Sequence, residues 1–474
     1  MTLLDLLYIP LALVTAPFWA VKKRHGWRER FGGTAPLPHP REGVGRVLVH
    51  AVSVGEVNAL RHLVPLLARE AEVVISTTTD TGLKRATELF AAMKDADGGG
   101  RGGCKVVRYP LDFSWAVRRF LDAVRPDAVA LVELEVWPNF VRACSRRGVP
   151  VCIMNGRLSA RSFKGYSRIR GFFGRVLNLL EFAAVQDEDY AGRFEALGLP
   201  ANKCLLTGSM KWDSASVGNV GAKDDGLVAG AAELAAAMGI DRSRPLIVAG
   251  STGPGEESLL HAACPAGVQL LCAPRKPERF EEAAAALPGC VRRTRAGANG
   301  VHREAALAGE PPVARDRFLL DTIGELRKAY SLADIVVVGR SFGDLYGSDP
   351  IEPIALGKPT VIGPAISDFA AVVKAFEDGG GIVRATRDGL GETLAGLMEN
   401  PMRRKELGER GRACIRRQQG ASARHAELIL GMLSPGFKHG SSMVIRSGPK
   451  FGPTEGGEHR TGIAAGAAPS ATNP

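Results

Sequence analysis

The sequence predicts an α/β protein built from two doubly wound domains that face each other across a cleft. Short apolar runs of strand length alternate with helical patterns along the first half of the chain, and the alternation resumes in the second half. Residues 214–240, between the halves, begin with a Gly-, Ala- and Ser-rich stretch that is typical of a connection. A chain of 474 residues is long enough to give each domain its own core.

Strands that are buried on both faces of a parallel sheet have short, nearly continuous apolar sequences. In the first half these runs are Val47–Ala51, Val73–Thr77, Ala128–Val132, Val149–Met154, Phe182–Val185 and Cys204–Leu206. In the second half they are Leu246–Ala249, Gln269–Cys272, Ile335–Val338 and Thr360–Ile362. We therefore predict domains over 25–213 and 241–434 with a linker over 214–240. Residues 435–474 contain few large apolar side chains, which predicts a disordered tail.

Residues 1–20 form a mostly apolar run that is followed almost at once by the basic residues Lys22, Lys23 and Arg24. A secretory signal has its basic residues before the apolar run, so this order predicts a membrane anchor over 1–24 instead. About 20 apolar residues can just cross a bilayer, but Asp5, Pro10 and Pro17 interrupt this run. The segment could therefore span the membrane, lie in its plane or pack on the following domain. The basic residues favour a cytoplasmic position for that domain.

Bulk properties restrict the class of partner. The net charge of +11 suits nucleic acid, an anionic membrane or phosphorylated substrates. The sequence contains no zinc finger, RNA-recognition motif or basic stripe interleaved with aromatic residues, so we do not predict a nucleic-acid partner. The cysteines form no CxxC pair and the histidines are scattered, so neither a metal site nor a cofactor is predicted. Asp187 and Asp189 are better explained as acids at the start of a helix.

Residues 131–169 are the most informative stretch of the chain. One predicted strand delivers Glu133 and Glu135, and the next delivers Arg157. Ligands of open α/β sheets bind beyond the carboxyl ends of the strands, so we expect these side chains to share one crevice. If the strand continues, both carboxylates point to the same face, and one pKa rises unless a cation such as Arg157 intervenes.

The segments ELEVWPN (133–139) and NGRLSARSFKGY (155–166) resemble the Kdo transferases, which move 3-deoxy-D-manno-octulosonic acid (Kdo) from CMP-Kdo to lipid A precursors. Further resembling segments are GWRERFG (26–32), HAVSVGE (50–56), TTTDTG (77–82), TGSMKWD (207–213), AGSTGPGEE (249–257), APRKPERF (273–280) and DTIGELRKAYSLADIVVVGRSF (321–342). The resemblance covers roughly residues 1–430. It implies the GT-B glycosyltransferase architecture, CMP-Kdo and a lipid A precursor as partners, and a location on the cytoplasmic side of the inner membrane.

The resemblance implies that Glu29, within GWRERFG, is the base that deprotonates the acceptor hydroxyl. Its position supports this reading, because Arg28 and Arg30 flank the carboxylate and the predicted anchor directly precedes the segment. A general base must come within hydrogen-bond reach of the proton that it removes.

Four further residues are predicted to bind the acceptor. Ser53 and Gly55 follow a strand at a turn into a helix, where free backbone N–H groups suit an anion. A capping box between Ser53 and Glu56 explains the same residues equally well. Glu133 and Arg157 complete the acceptor side, and Glu135 is interpreted as structural.

The donor, CMP-Kdo, is predicted to bind the second domain. Lys211 ends the first domain at the cleft, and Ser251 lies in a Gly-Ser-Thr turn that is expected to start a helix. Arg275 follows the next strand, in a segment that the resemblance implies is part of the donor-site wall. Arg279, in the same segment, is expected to be a salt-bridge partner.

Residues 347–349 read Gly-Ser-Asp, where the family usually has Gly-His-Asn. Asp349 is predicted to be a helix N-cap with Pro350 as the first helical residue, so that the helix N-terminus still faces a phosphate. The resemblance implies that Glu352 corresponds to the glutamate that, in such glycosyltransferases, accepts hydrogen bonds from the ribose hydroxyls of the sugar nucleotide. Replacing the family's His by Ser348 removes a hydrogen-bond donor, and Asp349 adds a negative charge.

Three alternatives remain at the level of sequence. Either a cation such as Arg340 compensates for Asp349, or the chain is a catalytically altered homologue that only binds sugar nucleotide or lipid. The chain could also be another two-domain sugar-nucleotide protein, such as lipid A disaccharide synthase or a UDP-sugar epimerase. A screen of CMP against UDP separates these enzymes.

Overall fold

The computed structural model describes residues 2–21, 25–93, 103–215, 227–296 and 316–434. Two seven-stranded sheets, both entirely parallel, carry the helices of the described chain, which confirms the prediction of two α/β domains. Most of the Gly-rich stretch near residue 100, part of the predicted linker and the predicted tail over 435–474 lie outside the described residues. The predicted domain boundaries stay a prediction.

The first sheet has the strand order β3-β2-β1-β4-β5-β6-β7. Its strands are β1 (Arg46–His50), β2 (Glu72–Thr77), β3 (Cys104–Arg108), β4 (Ala128–Val132), β5 (Val151–Gly156), β6 (Ala183–Val185) and β7 (Cys204–Leu206). The helices of this half are α1 (Leu3–Val21), α2 (Trp27–Arg30), α3 (Val54–Ala59), α4 (Leu63–Ala68), α5 (Asp80–Phe90), α6 (Ser114–Val124), α7 (Pro138–Arg146), α8 (Ala160–Ser167), α9 (Arg170–Leu177) and α10 (Glu188–Ala196).

The second sheet has the order β10-β11-β9-β8-β12-β13-β14. Its strands are β8 (Leu246–Thr252), β9 (Gln269–Pro274), β10 (Val291–Arg292), β11 (Arg317–Leu319), β12 (Ile335–Val338), β13 (Thr360–Ile362) and β14 (Val383–Arg384). The helices are α11 (Ala231–Met238), α12 (Glu256–Ala263), α13 (Phe280–Ala285), α14 (Leu326–Leu332), α15 (Ile351–Ala355), α16 (Ala370–Asp378), α17 (Leu390–Glu399), α18 (Pro401–Gln418) and α19 (Ala421–Gly431). Helix α11 lies within the range predicted as linker.

The central strands are buried over their whole length, as their apolar sequences predict. Every residue of β1, β4, β5, β8 and β12 is buried. Helices cover both faces of a parallel sheet, because each connection has to cross the sheet to reach the start of the next strand. This topology brings the turns that follow the strands to one edge of each sheet.

The C-terminal helix α19 returns to the first half, where it packs on α4 and β5. Asp213 holds its first turn, because the backbone N–H groups of Gly420 and Ser422 donate to the Asp213 carboxylate at 2.7 and 2.5 Å. His425 is buried and accepts a hydrogen bond from the backbone N–H of Asn155 at 2.7 Å. The end of the described chain therefore stabilises the strand end that carries the predicted acceptor residues.

Helix α1 is attached to the first domain through Asp5, whose side chain is fully buried. The backbone N–H of Ser114, at the start of α6, donates to Asp5 Oδ1 at 2.8 Å, and Asn139 Nδ2 donates to the same oxygen at 3.2 Å. Burial opposes ionisation of Asp5, but hydrogen bonds from the hydroxyl and backbone N–H of Ser114 and from Thr2 outweigh it and lower the pKa of the carboxyl. Packing on the domain, one of the three alternatives for this segment, is thus observed for its first turns.

Within the part of the chain that the structure describes, no helix combines the length and apolar character needed to cross a membrane.

We expect Asp5→Ala to lower the free energy of unfolding by about 2–4 kcal/mol, because it leaves buried donors of Ser114 and Asn139 without a partner. Asp122→Ala is the matched control, since this acid is exposed and forms a surface ion pair with Arg147. Denaturant unfolding of both variants measures the difference. Equal losses of stability in the two variants would contradict the structural role of Asp5.

Candidate functional site

The predicted site residues lie where the central strands end, and the backbone there is unusual. The described chain has five non-glycine residues with positive φ, and all but Arg125 belong to the carboxyl edges of the sheets: Glu133, Asn155, Ser251 and Arg340. Such conformations cost free energy and persist where surrounding contacts impose them. The two edges are therefore built to hold particular side chains in place.

Glu29 lies on the short helix α2, and its neighbour Arg30 anchors this helix. Arg30 is buried, and its Nη2 lies 3.5 Å from Asp80 Oδ1, an oxygen to which Arg108 Nη1 also donates at 2.6 Å. The expectation that Arg30 supports the charge of Glu29 thus needs correction, because Asp80 is its counter-ion. The Glu29 carboxylate itself makes no hydrogen bond or ion pair with the other described residues.

Two glycines fix the ends of this segment. Gly26 and Gly32 have φ values of 74° and 76°, which favour glycine. A Cβ at Gly26 would lie 2.2 Å from Arg108 Nε, and a Cβ at Gly32 would lie 2.3 Å from the carbonyl oxygen of Ala116. The segment therefore packs tightly against β3 and α6, which positions Glu29 with little freedom.

Ser53 forms the capping box that the sequence offered as an alternative. The backbone N–H of Glu56 donates to Ser53 Oγ at 3.3 Å, and this hydroxyl donates to Glu56 Oε1 at 2.7 Å. The second carboxylate oxygen accepts from the backbone N–H of Val52 at 2.8 Å. A Cβ at Gly55 would meet only Ser53 Oγ, at 3.8 Å. Acceptor binding by Ser53 and Gly55 stays a prediction.

The strand does not continue to Glu133 and Glu135, so the condition for a shared strand face is not met: β4 ends at Val132 and Glu133 takes a φ of 57° in the following turn. The two carboxylates nevertheless interact. Burial raises the pKa of Glu135 to about 7, and the charges of Glu56 and Glu133 add to the rise. A hydrogen bond from Trp137 Nε1 to Glu135 at 3.1 Å acts in the opposite direction.

Arg157 is a cation near Glu133, but it does not prevent the rise in the pKa of Glu135. Its Nε donates to the hydroxyl of Tyr190 at 3.4 Å. Burial opposes its charge, but Tyr190 and the carboxylates of Glu133 and Asp368 outweigh this effect and raise its pKa. Asp368 belongs to the second half of the chain, so Arg157 experiences charges from both halves.

In the second half, the predicted helix start at Ser251 is wrong, because β8 continues through Thr252 and α12 begins only at Glu256. Ser251 itself is buried and has a φ of 57°. The Glu256 carboxylate accepts hydrogen bonds from the backbone N–H groups of Arg340, Ser341 and Phe342 at 2.6 to 2.9 Å. These amides, which follow β12, are therefore already occupied by a side chain of the protein.

Arg275 and Arg279 lie in different surroundings. Arg279 forms a two-pronged ion pair with buried Glu257, with N–O distances of 3.0 and 2.8 Å, and this confirms it as a salt-bridge partner. Arg275 is exposed just after β9. Its positive charge partly offsets the rise that burial causes in the pKa of the Tyr330 phenol. Arg275 is thus accessible to a ligand. Its donor contact stays a prediction.

The loop of residues 347–349 lies within reach of a positive charge from the first half, that of Lys211. Asp349 Oδ1 accepts from the backbone N–H of Ile351 at 2.9 Å, but the prediction of Asp349 as N-cap and Pro350 as first helical residue is wrong, because α15 begins at Ile351 with Pro350 as its N-cap. Asp349 is exposed, yet the protein around its carboxyl keeps water away from it and so raises its pKa. The positive charge of Lys211 opposes that rise. The proposed partner Arg340 forms no ion pair with Asp349 in the described chain.

Lys211 and Ser348 complete this side of the site. Lys211 Nζ lies 5.8 Å above the ring of Phe369, which belongs to the second half. The hydroxyl of Ser348 is buried without a hydrogen-bond partner among the described residues. Glu352 lies 3.6 Å from Arg327, and burial raises the pKa of its carboxyl, while the Arg327 charge lowers it. Lys211, Ser348 and Glu352 thus offer a cation, a hydroxyl and a carboxylate near Asp349.

Sequence reasoning missed Asp213, His425 and Tyr330. Asp213 and His425 form the hydrogen bonds by which α19 packs on the first half, and no local sequence pattern predicts that contact. Tyr330 is buried, and a Cβ at Gly250 would lie 1.9 Å from its hydroxyl, so this tyrosine explains why β8 carries a glycine there. No group of three His, Cys, Asp or Glu suited to a metal ion occurs within the ranges that the structure describes. Asp187 accepts from the backbone N–H of Tyr190 at 2.8 Å, which confirms its capping role.

We expect Glu135→Gln to make thermal stability less dependent on pH. A carboxyl whose pKa is raised from 4.5 to about 7 by folding stabilises the protein fully below its unfolded pKa, and this contribution of at most about 3 kcal/mol is lost as the pH rises through 7. The difference in melting temperature between pH 5 and pH 8 should therefore be smaller in the variant. An undiminished difference would contradict the raised pKa. Asp112, whose pKa is also raised to about 7, is retained in both proteins.

Comparison with known proteins agrees with this architecture. A family model described as 3-deoxy-D-manno-octulosonic-acid transferase matches residues 25–214. The 3-deoxy-D-manno-octulosonic acid transferase of Bordetella pertussis is 35% identical over 417 residues, which is 84% of this chain and 89% of that protein. The transferase of the same name from Haemophilus influenzae is 29% identical over 444 residues, covering 90% of this chain and 95% of that protein.

Among solved structures, the UDP-GlcNAc 2-epimerase from Neisseria meningitidis has a TM-score of 0.52 and covers 82% of this chain and 99% of its own. Its sequence identity is only 13%, so this likeness concerns the two-domain fold alone. The identity to the Bordetella pertussis protein extends over most of both chains, and the family model matches the first domain that carries Glu29. On this evidence, the chain belongs to the Kdo transferase family of glycosyltransferases.

Proposed function

We propose that this chain transfers Kdo from CMP-Kdo to a lipid A precursor, in the manner of an inverting glycosyltransferase. The observation that carries the proposal is the Glu29 carboxylate, which has no partner in the described chain and sits on a helix that Asp80 and two glycines hold in place. A general base needs free lone pairs and a fixed position, and Glu29 has both. Family membership supports Kdo as the transferred sugar.

The proposed chemistry is a direct displacement at the anomeric carbon. The acceptor hydroxyl oxygen attacks this carbon as Glu29 takes the hydroxyl proton, and the bond to the CMP phosphate oxygen breaks with its electron pair. The leaving group is a phosphate monoester, which cations and hydrogen-bond donors can stabilise. Lys211 and Arg275 are the cations proposed for this role, and the unpartnered hydroxyl of Ser348 is a further donor.

The acceptor is proposed to meet the first domain at Glu29 and at the ends of β4, β5 and β1, which Glu133, Arg157 and the turn at Ser53 and Gly55 follow. Arg157 is suited to an anionic group of the acceptor. Glu133, whose carboxylate forms no hydrogen bond with the described residues, can accept from a sugar hydroxyl. The glutamate cluster thus favours a ligand rich in hydroxyl groups.

We further propose that the protein works at the cytoplasmic side of the inner membrane. The support is α1, which keeps large apolar side chains exposed although its first turns are attached to the domain: Leu6 (58%), Leu7 (66%) and Val14 (78%). Exposed apolar side chains on a docked helix suit an in-plane contact with lipid. A lipid-borne acceptor also has to be met at a membrane surface.

One observation favours a second candidate, a homologue that binds sugar nucleotide or lipid without transferring Kdo. Asp349 places a negative charge where the family usually has an amide, and this charge repels a phosphate. Lys211 opposes this effect, and Glu29 is retained. We therefore prefer the transferase.

We expect Glu29→Gln to lose transfer while keeping CMP binding, because the amide cannot accept the hydroxyl proton. Removal of a general base typically costs about 100- to 10,000-fold in rate. Mass spectrometry of a lipid A precursor, incubated with CMP-Kdo generated in situ, measures the product. Glu42→Gln is the matched control, since Glu42 is an exposed glutamate outside the site. Near-normal turnover of the Glu29 variant would refute its assignment as the base.

We expect Asp349→Asn to tighten CMP binding by about threefold to tenfold at pH 8, because it removes a charge that repels the phosphate and leaves Lys211 without a competing carboxylate. The amide oxygen can still accept from Ile351. Lys211→Met should weaken binding by a similar factor. Isothermal titration calorimetry measures both, with Asp344→Asn as the control on the same loop. Weaker binding by Asp349→Asn would show that the donor site needs the carboxylate.

Combining Ser348→His with Asp349→Asn restores the Gly-His-Asn sequence that the family usually has at residues 347–349. If the loop is only a helix cap, this protein should bind CMP at least as tightly as Asp349→Asn alone, because the imidazole adds a donor. Weaker binding of the double variant would mean that the pocket has been rebuilt around Ser348.

A further inference from the structure

Two carboxylates lie close together on the donor side of the second half. Asp349 lies just before α15, and Glu352 lies in the first turn of that helix. Burial raises the pKa of the Tyr330 phenol, and the charges of Glu352 and Asp349 add to the rise while Arg275 opposes it. Both acids are therefore within electrostatic reach of one buried side chain. A second negative charge beside Glu352 opposes the ionisation of its carboxyl.

Arg327 is the cation that faces Glu352. Its Nη1 lies 3.6 Å from Glu352 Oε1, and the two side chains are 34% and 44% exposed. The pair joins neighbouring helices, because α14, which carries Arg327, packs against α15. Burial raises the pKa of the Glu352 carboxyl and Asp349 adds to the rise, whereas the positive charge of Arg327 acts in the opposite direction. Arg327 therefore favours the ionised form of Glu352.

Compensation for Asp349 is divided between two cations. Lys211 opposes the rise that burial causes in the pKa of Asp349 itself. Arg327 opposes the effect of Asp349 on Glu352. The sequence offered Arg340 as the compensating cation, but Arg340 forms no ion pair with Asp349 among the described residues. The extra charge of the loop is thus met by one residue from the first half and one from α14.

We propose that Arg327 is a positioning residue of the donor site, which keeps the Glu352 carboxylate ionised and fixes its direction beside Asp349. An ionised carboxylate offers only acceptors, so it can accept hydrogen bonds from both hydroxyls of a ribose. A protonated carboxyl carries a donor on one oxygen and fits two hydroxyl donors less well. Arg327 acts through Glu352 rather than by touching the ligand. The inference rests on the proposed function, in which the donor is a cytidine nucleotide bound by the second half.

Binding of two nucleotides tests the inference, because CMP has both ribose hydroxyls and 2′,3′-dideoxy-CMP has neither. Isothermal titration calorimetry with the full-length protein gives a dissociation constant for each nucleotide. The ratio of the two constants reports the contribution of the hydroxyls, since the phosphate and the base are common to both. We expect Arg327→Gln to weaken CMP binding by about threefold or more and to leave dideoxy-CMP binding unchanged.

Three further variants control this measurement. Arg327→Lys should recover most of the CMP affinity, because a lysine still supplies the positive charge. Lys328→Met should leave both nucleotides unaffected, because Lys328 is the next residue of α14 but pairs with Glu325 at 3.3 Å. Glu352→Gln should weaken CMP binding, and adding Arg327→Gln to it should change little, because the arginine then has no carboxylate to hold. Circular dichroism checks that each variant is folded.

The dependence on pH gives an independent readout. Without Arg327, burial and Asp349 raise the pKa of Glu352 further above its usual range, so more of this carboxyl is protonated at pH 6 than at pH 8. The preference for CMP over dideoxy-CMP should therefore fall more steeply between pH 8 and pH 6 in Arg327→Gln than in the native protein. Protonation of Asp349 and of the phosphate affects both nucleotides alike, and Tyr330 stays neutral because its pKa is raised.

An equal loss of affinity for both nucleotides in Arg327→Gln would overturn the inference, because Arg327 would then act on the phosphate, on the base or on the fold of the loop. Unchanged binding of both nucleotides would overturn it as well. If the native protein bound neither nucleotide, the proposed donor itself would be wrong and the inference would fall with it. Failure of the positioning role is thereby distinguished from failure of the proposed function.

Discussion

Parallel strand pairing is the constraint on which the rest of the structure depends. A parallel pair cannot be closed by a tight hairpin, so each connection crosses a face of the sheet and the turns after the strands gather at one edge. In both halves this edge also carries the strained residues. The backbone N–H of Glu133 donates to Met154, that of Asn155 to His425, and that of Arg340 to Glu256. The positive-φ conformations at the site are thus imposed by a neighbouring strand, by the C-terminal helix α19 and by the buried carboxylate of Glu256.

The central strands could be predicted because burial on both faces demands a continuous apolar sequence. Four of the predicted strands coincide with the observed ones at both ends: Ala128–Val132, Cys204–Leu206, Ile335–Val338 and Thr360–Ile362. The strands that were missed are short or lie towards the sheet edges, as β3, β10, β11 and β14 do. The edge strands β3, β10 and β14 lack a neighbour on one side and need fewer apolar residues, and the two residues of β10 and of β14 are too few to show a period.

The site could be predicted only as far as local sequence defines it. The capping box at Ser53, the ion pair of Arg279 with Glu282 and the hydrogen bond from Ile351 to Asp349 each join residues two or three positions apart. The partner of Asp349 depends on the approach of the two halves, and sequence reasoning chose Arg340 where the structure has Lys211. Contacts between distant segments have no local signature, so Asp213 and His425 could not be found from pattern alone.

The acids at the edge of the first sheet differ in how their oxygens are used, and this difference bears on which of them can act as a base. Glu56 accepts from Val52 and Ser53 in its capping box, and Glu135 accepts from Trp137. The negative charge of Glu133 is one of the causes that raise the pKa of Arg157. Glu29, like Glu133, has neither a hydrogen-bond donor nor an ion-pair partner among the described residues, and the neighbouring Arg30 pairs with Asp80 instead. The salt bridge that holds α2 in place is therefore also what leaves the Glu29 carboxylate free to accept a proton.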